Sequence, residues 1–246
     1  MRLPTAADLI DVWERGAAQH PLDRGLSLLS MAYPERSFGQ LQALTLAERE
    51  RSLLELHRGL FGPSLACYTE CPQCRTRLEF AVEIQNLLNG ATNSSKSNVH
   101  EFVLRNYVVR FCAPDSGDLA ALRDCPDVAS ARLLLLERCL LEATRGDAKV
   151  PATELPVDVI EKISSTLGVS EGDGDLSMVL ECAACAHRWE LAFDTVSFVW
   201  AEISARAKRF LNEVHTLAWA YGWREADILA MSPARRQFYL DRVDNG

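Results

Sequence analysis

Two separated C-x-x-C elements are the feature that most constrains how this chain can fold. The first spans Cys71–Cys74 and the second Cys182–Cys185, with more than one hundred residues between them. Their flanks also match, since each element is followed at the same offset by Arg, a large apolar residue and Glu. Strand-like alternation continues over residues 80–84 and 191–194. The repetition predicts two copies of a strand, a cysteine turn and a strand, brought together at one site.

The chemistry of these turns indicates a metal ion. Two cysteines in one tight turn can point at a single ion, and two such turns supply the four sulfurs of a tetrahedral zinc site. Closing the long loop between them costs about 4 kcal/mol, whereas structural zinc binding to thiolates contributes roughly 10–16 kcal/mol. We therefore predict one structural zinc per chain, with these ligands: Cys71, Cys74, Cys182 and Cys185. Four protein ligands leave no open position for a substrate, so the site does not imply catalysis.

Other interpretations of the cysteines are open to the same sequence. The letters C-P-Q-C at Cys71–Cys74 are similar to a thioredoxin-type dithiol, although that motif opens a helix and here strand-like segments flank it. Cys67 or His187 lies near enough to replace a ligand, but a buried small residue and an exposed loop residue are the favoured interpretations. Cys112 and Cys139 lie on apolar faces, where free cysteine usually packs in the core.

Composition and charge narrow the class of protein. The chain has 246 residues, a hydrophobic share of 48% and a net charge of −8, which is typical of a globular protein and unfavourable for phosphate-backbone binding. Residues 1–16 carry acidic side chains within their apolar pattern, unlike a secretory signal. No apolar run is long enough to span a bilayer. We expect a cytoplasmic protein in a reducing compartment, with no nucleic-acid partner and no membrane span.

The periodicity along the chain predicts an α+β fold. A helical region covers residues 1–64, and a zinc-ribbon-like β region covers 65–194 with a helical insertion at about 115–168. A C-terminal helical region covers 195–246 and begins with a long amphipathic helix. These parts are expected to form one integrated unit, with helices surrounding the β core.

Finer predictions concern single elements. His100–Leu104 and Tyr107–Phe111 alternate around Arg105-Asn106, which predicts a hairpin with Asn106 in the turn. Val128–Ala143 is predicted to be one helix, with these leucines facing inward: Leu133, Leu136, Leu140 and Leu141. The polar segments 89–98 and 171–175 are predicted to be loops.

Stretches outside the cysteine turns resemble a known family. The longest is H-T-L-A-W-A-Y-G-W-R-E-A-D-I-L-A-M-S-P-A-R-R-Q-F-Y-L, from His215 to Leu240. Two shorter ones are L-P-T-A-A-D-L-I-D-V-W-E-R-G at Leu3–Gly16 and L-F-G-P-S-L at Leu60–Leu65. Together with the paired C-x-x-C elements, they resemble the baseplate protein family of contractile-tailed (T-even-type) bacteriophages. The similarity is greatest to the version found with phage-tail-like contractile injection systems.

This resemblance implies a structural or assembly protein of a baseplate, not an enzyme. Its implied partners are other baseplate, hub or spike proteins, with incorporation into a phage-tail-like particle left open. We predict a partner-contact surface from the aromatic and Arg content of the C-terminal helices: Trp223, Arg235, Arg236, Phe238 and Tyr239. Two other classes stay open: a zinc-ribbon nucleic-acid-binding or regulatory protein and, less favoured, a dithiol oxidoreductase.

The cysteine turns depart from the usual zinc-ribbon turn at one position. Glycine often follows the second cysteine because that residue takes a positive φ angle, which other residues adopt at a cost. Here Arg75 and Ala186 stand at that position, and Ala183 stands where proline is common. These departures predict weaker metal binding than the four cysteines alone would suggest.

Overall fold

The fold is known from a computed structural model, which describes residues 1–90, 98–170 and 177–244. The helices are α1 (Ala6–Gly16), α2 (Pro21–Ala32), α3 (Phe38–Gln42), α4 (Leu46–Phe61), α5 (Ile84–Gly90), α6 (Ser116–Ala121), α7 (Val128–Cys139), α8 (Val157–Ser170), α9 (Thr195–Tyr221), α10 (Glu225–Leu229) and α11 (Pro233–Asp244). The strands are β1 (Ser64–Glu70), β2 (Arg77–Glu83), β3 (Val99–Leu104), β4 (Tyr107–Cys112), β5 (Leu140–Arg145), β6 (Ala148–Lys149), β7 (Ser177–Glu181) and β8 (Arg188–Ala192). Helices and small antiparallel sheets together make an α+β fold, as the sequence predicts.

The chain divides into two compact units. Unit 1 consists of Met1–Arg36 and Thr195–Gly246, and unit 2 consists of Ser37–Asp194. The predicted helical region 1–64 is therefore shared between them, because α3 and α4 belong to unit 2.

Unit 1 is built around α9, a helix of 27 residues. Its buried residues recur at helical spacing and include Val199, Ile203, Phe210 and Leu217. The helices α1, α2, α10 and α11 all pack against it. In α1, a Cβ atom added at Gly16 would lie 2.3 Å from the ring of Trp200, so α1 can approach α9 this closely only with glycine there.

The largest sheet of unit 2 has four antiparallel strands in the order β3-β4-β5-β6. Strand β4 alternates between buried and exposed residues, as a strand with one covered face does. Its inward residues Val109 and Phe111 are fully buried, and they pack with Ala143 of β5 and with Val159 and Ile163 of α8. This sheet therefore has a hydrophobic core of its own.

The prediction of one helix over Val128–Ala143 is wrong in its last turn. Helix α7 ends at Cys139, and the next residues form β5, which pairs antiparallel with β4. Leu133 is 39% exposed and Leu141 is 52% exposed, so neither faces a core as predicted. A run of leucines is compatible with the period of a helix and with that of a strand. Here the pairing with β4 stabilises the strand.

The hairpin predicted around Arg105-Asn106 is confirmed, with β3 and β4 in register from Leu104–Tyr107 outward. The turn residue with positive φ is Arg105, at 55°, and not Asn106 as predicted. The predicted loops at 89–98 and 171–175 lie largely outside the described residues, since positions 91–97 and 171–176 are not described.

Candidate metal centre

The two C-x-x-C elements lie at the tips of two separate antiparallel hairpins of unit 2. In the first hairpin, β1 pairs with β2 up to the pair Glu70–Arg77. In the second, β7 pairs with β8 up to the equivalent pair, Glu181–Arg188. The cysteines therefore occupy the same place in both hairpins, which is the arrangement that the duplicated sequence pattern predicts.

The two turns, Cys71–Thr76 and Cys182–His187, are also held by the same backbone hydrogen bonds. In the first turn, the N–H of Cys71 donates to the carbonyl of Thr76 (3.0 Å), and the N–H of Arg75 donates to the carbonyl of Cys71 (2.9 Å). In the second, the corresponding distances are 2.9 Å from Cys182 to His187 and 2.8 Å from Ala186 to Cys182. Each turn is thus closed by its own backbone.

The residue after the second cysteine adopts the left-handed conformation in both turns. The φ angle is 59° at Arg75 and 57° at Ala186. An L-residue in this region costs roughly 1–2 kcal/mol relative to the right-handed form. The turns therefore keep the backbone conformation for which a glycine is usual, without having the glycine.

Both turns direct their thiols to one point. The four Sγ atoms of Cys71, Cys74, Cys182 and Cys185 all lie within 4.8 Å of one another. The sulfurs of Cys71 and Cys185 are 3.7 Å apart, and those of Cys74 and Cys182 are 3.5 Å apart. Ligands about 2.3 Å from a tetrahedral zinc ion would be about 3.8 Å apart. The four cysteines could thus hold one metal ion.

Burial differs within each turn in the same way. The first cysteines, Cys71 and Cys182, are each only 1% exposed, whereas Cys74 and Cys185 are exposed. Each close sulfur pair joins the buried cysteine of one turn to the exposed cysteine of the other. The contacts therefore cross between the hairpins, so an ion at this point would tie the two hairpins together.

The thiols are electrostatically unequal. Hydrogen bonding with Thr76, first with its hydroxyl 3.2 Å away and then with its backbone, lowers the pKa of Cys74 to about 6. A backbone hydrogen bond from His187 lowers the pKa of Cys185, but desolvation and the neighbouring thiols outweigh it and raise that pKa to about 12. Four thiolates this close repel one another, and a bound cation would favour all four charged forms.

The two alternative ligands lie outside this cluster. His187 stacks on the ring of Trp189, with centroids 5.9 Å apart. The thiol of Cys67 lies 3.8 Å from the carbonyl oxygen of Leu65 in its own strand. Among the described residues, the cysteine cluster includes neither residue.

Comparisons with protein-family profiles, curated proteins and solved structures give no match. Within the described part of the chain, none of the helices combines the length and apolar character needed to cross a bilayer.

The residues predicted for partner contact lie in unit 1, in α11 and in the turn between α9 and α10. Trp223 stacks on Tyr221 with centroids 4.5 Å apart and meets Tyr239 edge-on at 4.8 Å. Phe238 is 55% exposed and also contacts the ring of Tyr239. Arg235 lies over Tyr239, 5.9 Å from its ring centroid. These four predicted residues and Tyr221 therefore contact one another in one group. We call this group the C-terminal aromatic cluster; its members are Tyr221, Trp223, Arg235, Phe238 and Tyr239.

Arg236 differs from its predicted neighbours because it is buried, with 4% of its surface exposed. It pairs with Glu213 of α9 at 3.0 Å and donates to the carbonyl of Met231 at 3.1 Å. Its guanidinium also lies over the ring of Phe210. Arg236 thus fixes α11 to α9 within unit 1, a role that its Arg-rich sequence context does not indicate.

Trp219 is a surface residue that the sequence analysis does not include among the predicted partner contacts. It is 87% exposed, the most exposed tryptophan or tyrosine among the described residues. The signal that would have found it is position on the helix: Trp219 lies two residues after the buried Leu217, which is about 200° around α9. Helical spacing alone therefore places it on the outer face.

Proposed function

We propose that this protein is a non-enzymatic structural or assembly component of the baseplate of a contractile injection system or phage tail. A structural zinc ion bound by Cys71, Cys74, Cys182 and Cys185 would complete its fold. The proposed partners are other baseplate, hub or spike proteins, encountered in the cytoplasm during assembly.

The metal part of the proposal rests on the convergence of two distant turns on one point. Thiolates are soft ligands that select zinc over hard cations, and a set of four suits its tetrahedral preference. With all four positions occupied by protein, the ion has no place for a substrate or an activated water molecule. The zinc would therefore serve the fold, and the result would be a zinc-ribbon-like pair of hairpins.

The baseplate part rests on the resemblance of the segments His215–Leu240 and Leu3–Gly16 to that family. The first of these segments contributes the C-terminal aromatic cluster and the exposed Trp219. Large aromatic side chains on a surface are common anchors of protein–protein interfaces. A partner protein that covers them would remove apolar surface from water.

A dithiol oxidoreductase fits the geometry less well. In such enzymes the first cysteine of C-x-x-C is the accessible nucleophile and opens a helix. Here Cys71 is buried and lies in a hairpin turn, while Cys74 is the exposed member. The net charge of −8 likewise disfavours a nucleic-acid-binding role.

The proposed function is tested by purifying the tagged chain together with the products of its neighbouring genes. We expect baseplate proteins to co-purify with the wild type. The double variant Trp219→Ala with Phe238→Ala should lose them, because it removes two exposed aromatic side chains from the proposed contact surface. The fold should be kept, since both side chains are exposed and contribute little internal packing. Tyr68→Ala is the matched control, since Tyr68 is an exposed aromatic residue of unit 2, and it should retain the partners.

Unchanged co-purification of the double variant would overturn the assignment of this surface. Recovery of nucleic acid, released steeply as salt is raised, would instead favour the nucleic-acid-binding alternative. Turnover of a disulfide substrate that is lost in Cys74→Ser would favour the oxidoreductase.

A further inference from the structure

A second pair of cysteines meets in unit 2, in the four-stranded sheet. Cys112 is the last residue of β4, and Cys139 is the last residue of α7, directly before β5. Strands β4 and β5 pair antiparallel with Phe111 opposite Leu140. Cys112 and Cys139 are the residues directly next to this last pair, one on each segment.

The side chain of Cys112 contacts the backbone of Cys139. The Sγ of Cys112 lies 3.4 Å from the carbonyl oxygen of Cys139. Disulfides span Cα separations of about 4.4–6.8 Å, and the contact of the Cys112 sulfur with the Cys139 backbone brings the two residues close enough for such a bond.

The two thiols are suited to different steps of an exchange reaction. Cys112 is half-buried, whereas Cys139 is only 3% exposed. A hydrogen bond from the Cys139 thiol lowers the pKa of Cys112 to about 7, against the opposing effects of desolvation and of the Asp118 and Asp115 carboxylates. The same hydrogen bond, with burial, raises the pKa of Cys139. Cys112 is thus the accessible thiolate and Cys139 the protonated thiol behind it.

We propose that Cys112 and Cys139 form a thiol–disulfide exchange pair that reacts with low-molecular-weight disulfides such as oxidised glutathione. The Cys112 thiolate attacks one sulfur of the disulfide, forming a mixed disulfide and releasing one glutathione thiolate. Cys139 then loses its proton and attacks the Cys112 sulfur, which releases the second glutathione. The protein gives up two electrons and two protons, and one glutathione disulfide becomes two glutathione thiols.

This pair is separate from the four-cysteine cluster in place and in role. The crosslink would join the end of β4 to the junction of α7 and β5, closing a loop between residues 27 positions apart. In a reducing compartment the pair stays a dithiol, and it closes when the surrounding thiol pool becomes oxidised. The proposal does not depend on the baseplate function or on the bound metal.

The test is peptide mapping of the full-length protein after equilibration in buffers of increasing oxidised-to-reduced glutathione ratio. Acid quenching, alkylation of free thiols and digestion with trypsin under non-reducing conditions then preserve the crosslinks. Cleavage after arginine places Cys112 alone in the peptide 111–123 and Cys139 alone in 139–145. We expect these two peptides to appear joined by a disulfide as the buffer becomes more oxidising.

Variants separate the two steps. Cys139→Ser should stop at the mixed disulfide, with one glutathione on Cys112, and Cys112→Ser should leave Cys139 unmodified. Cys125→Ser is the matched control and should form the crosslink like the wild type. If Cys139→Ser fails to fold, the wild-type map alone decides.

Two results would overturn the proposal. One is a wild-type protein whose two peptides stay unlinked in the most oxidising buffer, whether alkylated or carrying glutathione. The other is a Cys112→Ser variant in which Cys139 takes up glutathione as quickly as Cys112 does in the wild type.

Discussion

The paired hairpins and the four-stranded sheet of unit 2 are held together in different ways. In the sheet, β4 buries every second residue, and Phe111 is completely enclosed. In the hairpins, the fully described strands β2, β7 and β8 contain no buried residue, and β1 buries only Leu65. The sheet has a hydrophobic core, whereas the buried groups of the hairpin tips are the thiols of Cys71 and Cys182.

This difference indicates what the cysteines contribute. An isolated two-stranded hairpin is marginally stable at best in water, because it buries too little apolar surface to offset the entropy of ordering its chain. Two such hairpins need another source of stability, and a shared metal ion would provide it. We therefore expect the hairpins to depend on the metal and the sheet to depend on its core, each independently of the other.

The largest expected effect is that of removing the metal. Structural zinc binding to thiolates contributes roughly 10–16 kcal/mol. An isolated hairpin is only marginally stable, so we expect the hairpins to unfold without the metal. In Cys71→Ser, we expect the amides of β1, β2, β7 and β8 to exchange rapidly with deuterated solvent while those of β4 and β5 stay protected. Hydrogen–deuterium exchange read by mass spectrometry measures both regions at once.

Cys67→Ser provides the control for that variant, because Cys67 lies in β1 outside the cluster. It should keep the protected hairpins. Loss of protection in β4 and β5 as well, in Cys71→Ser alone, would mean that the two regions unfold as one.

A core substitution should have the opposite pattern. Phe111→Ala removes a fully buried ring, and such changes cost about 3–5 kcal/mol of unfolding free energy. Urea denaturation measures this loss, and the metal content should stay that of the wild type. Phe38→Ala, at a 56% exposed position of unit 2, should change stability little. A Phe111→Ala protein that is folded but metal-free would break the separation of the two regions.

Acidity should act on the hairpins through the thiols. The pKa of Cys74 is lowered to about 6, so this group is a thiolate above that pH, whereas the pKa of Cys185 is raised to about 12 and its proton must leave on metal binding. For each proton that the metal must displace from a thiol, the metal affinity falls about tenfold per unit fall in pH. Binding should therefore weaken as pH falls, and more steeply below about pH 6. Competition with a chromophoric chelator across pH 5–8 measures the slope; a constant slope would contradict the assigned Cys74 pKa.

The smallest expected effect concerns the left-handed residues of the turns. Ala186→Gly relieves a cost of roughly 1–2 kcal/mol but adds about 0.5–1 kcal/mol of chain entropy to the unfolded state. A net gain of about 0.5–1 kcal/mol should raise metal affinity a few-fold. Ala184→Gly is the same substitution at a residue without a positive φ angle. It should lower the metal affinity slightly, because it adds only chain entropy to the unfolded state. Equal effects in both variants would remove the backbone explanation.

Much of this candidate site could be predicted from the sequence, because a duplicated pattern specifies both the turns and their meeting point. The same three residue types follow Cys74 and Cys185 at the same spacing, which predicts equivalent hairpins. The two hairpins do have equivalent registers. The end of α7 could not be predicted in this way, since the leucines around Leu140 satisfy a helix as well as a strand. The burial of Arg236 depends on Glu213, a partner that is distant in sequence and is fixed only by the packing of α11 on α9.

The most direct test of the account is the metal content and sulfur coordination of the purified protein. Elemental analysis should find one zinc per chain, and X-ray absorption at the zinc edge should show four sulfur ligands at about 2.3 Å. A protein that is free of metal, yet protects the amides of β1, β2, β7 and β8 from exchange, would contradict the claim that the metal holds the hairpins together.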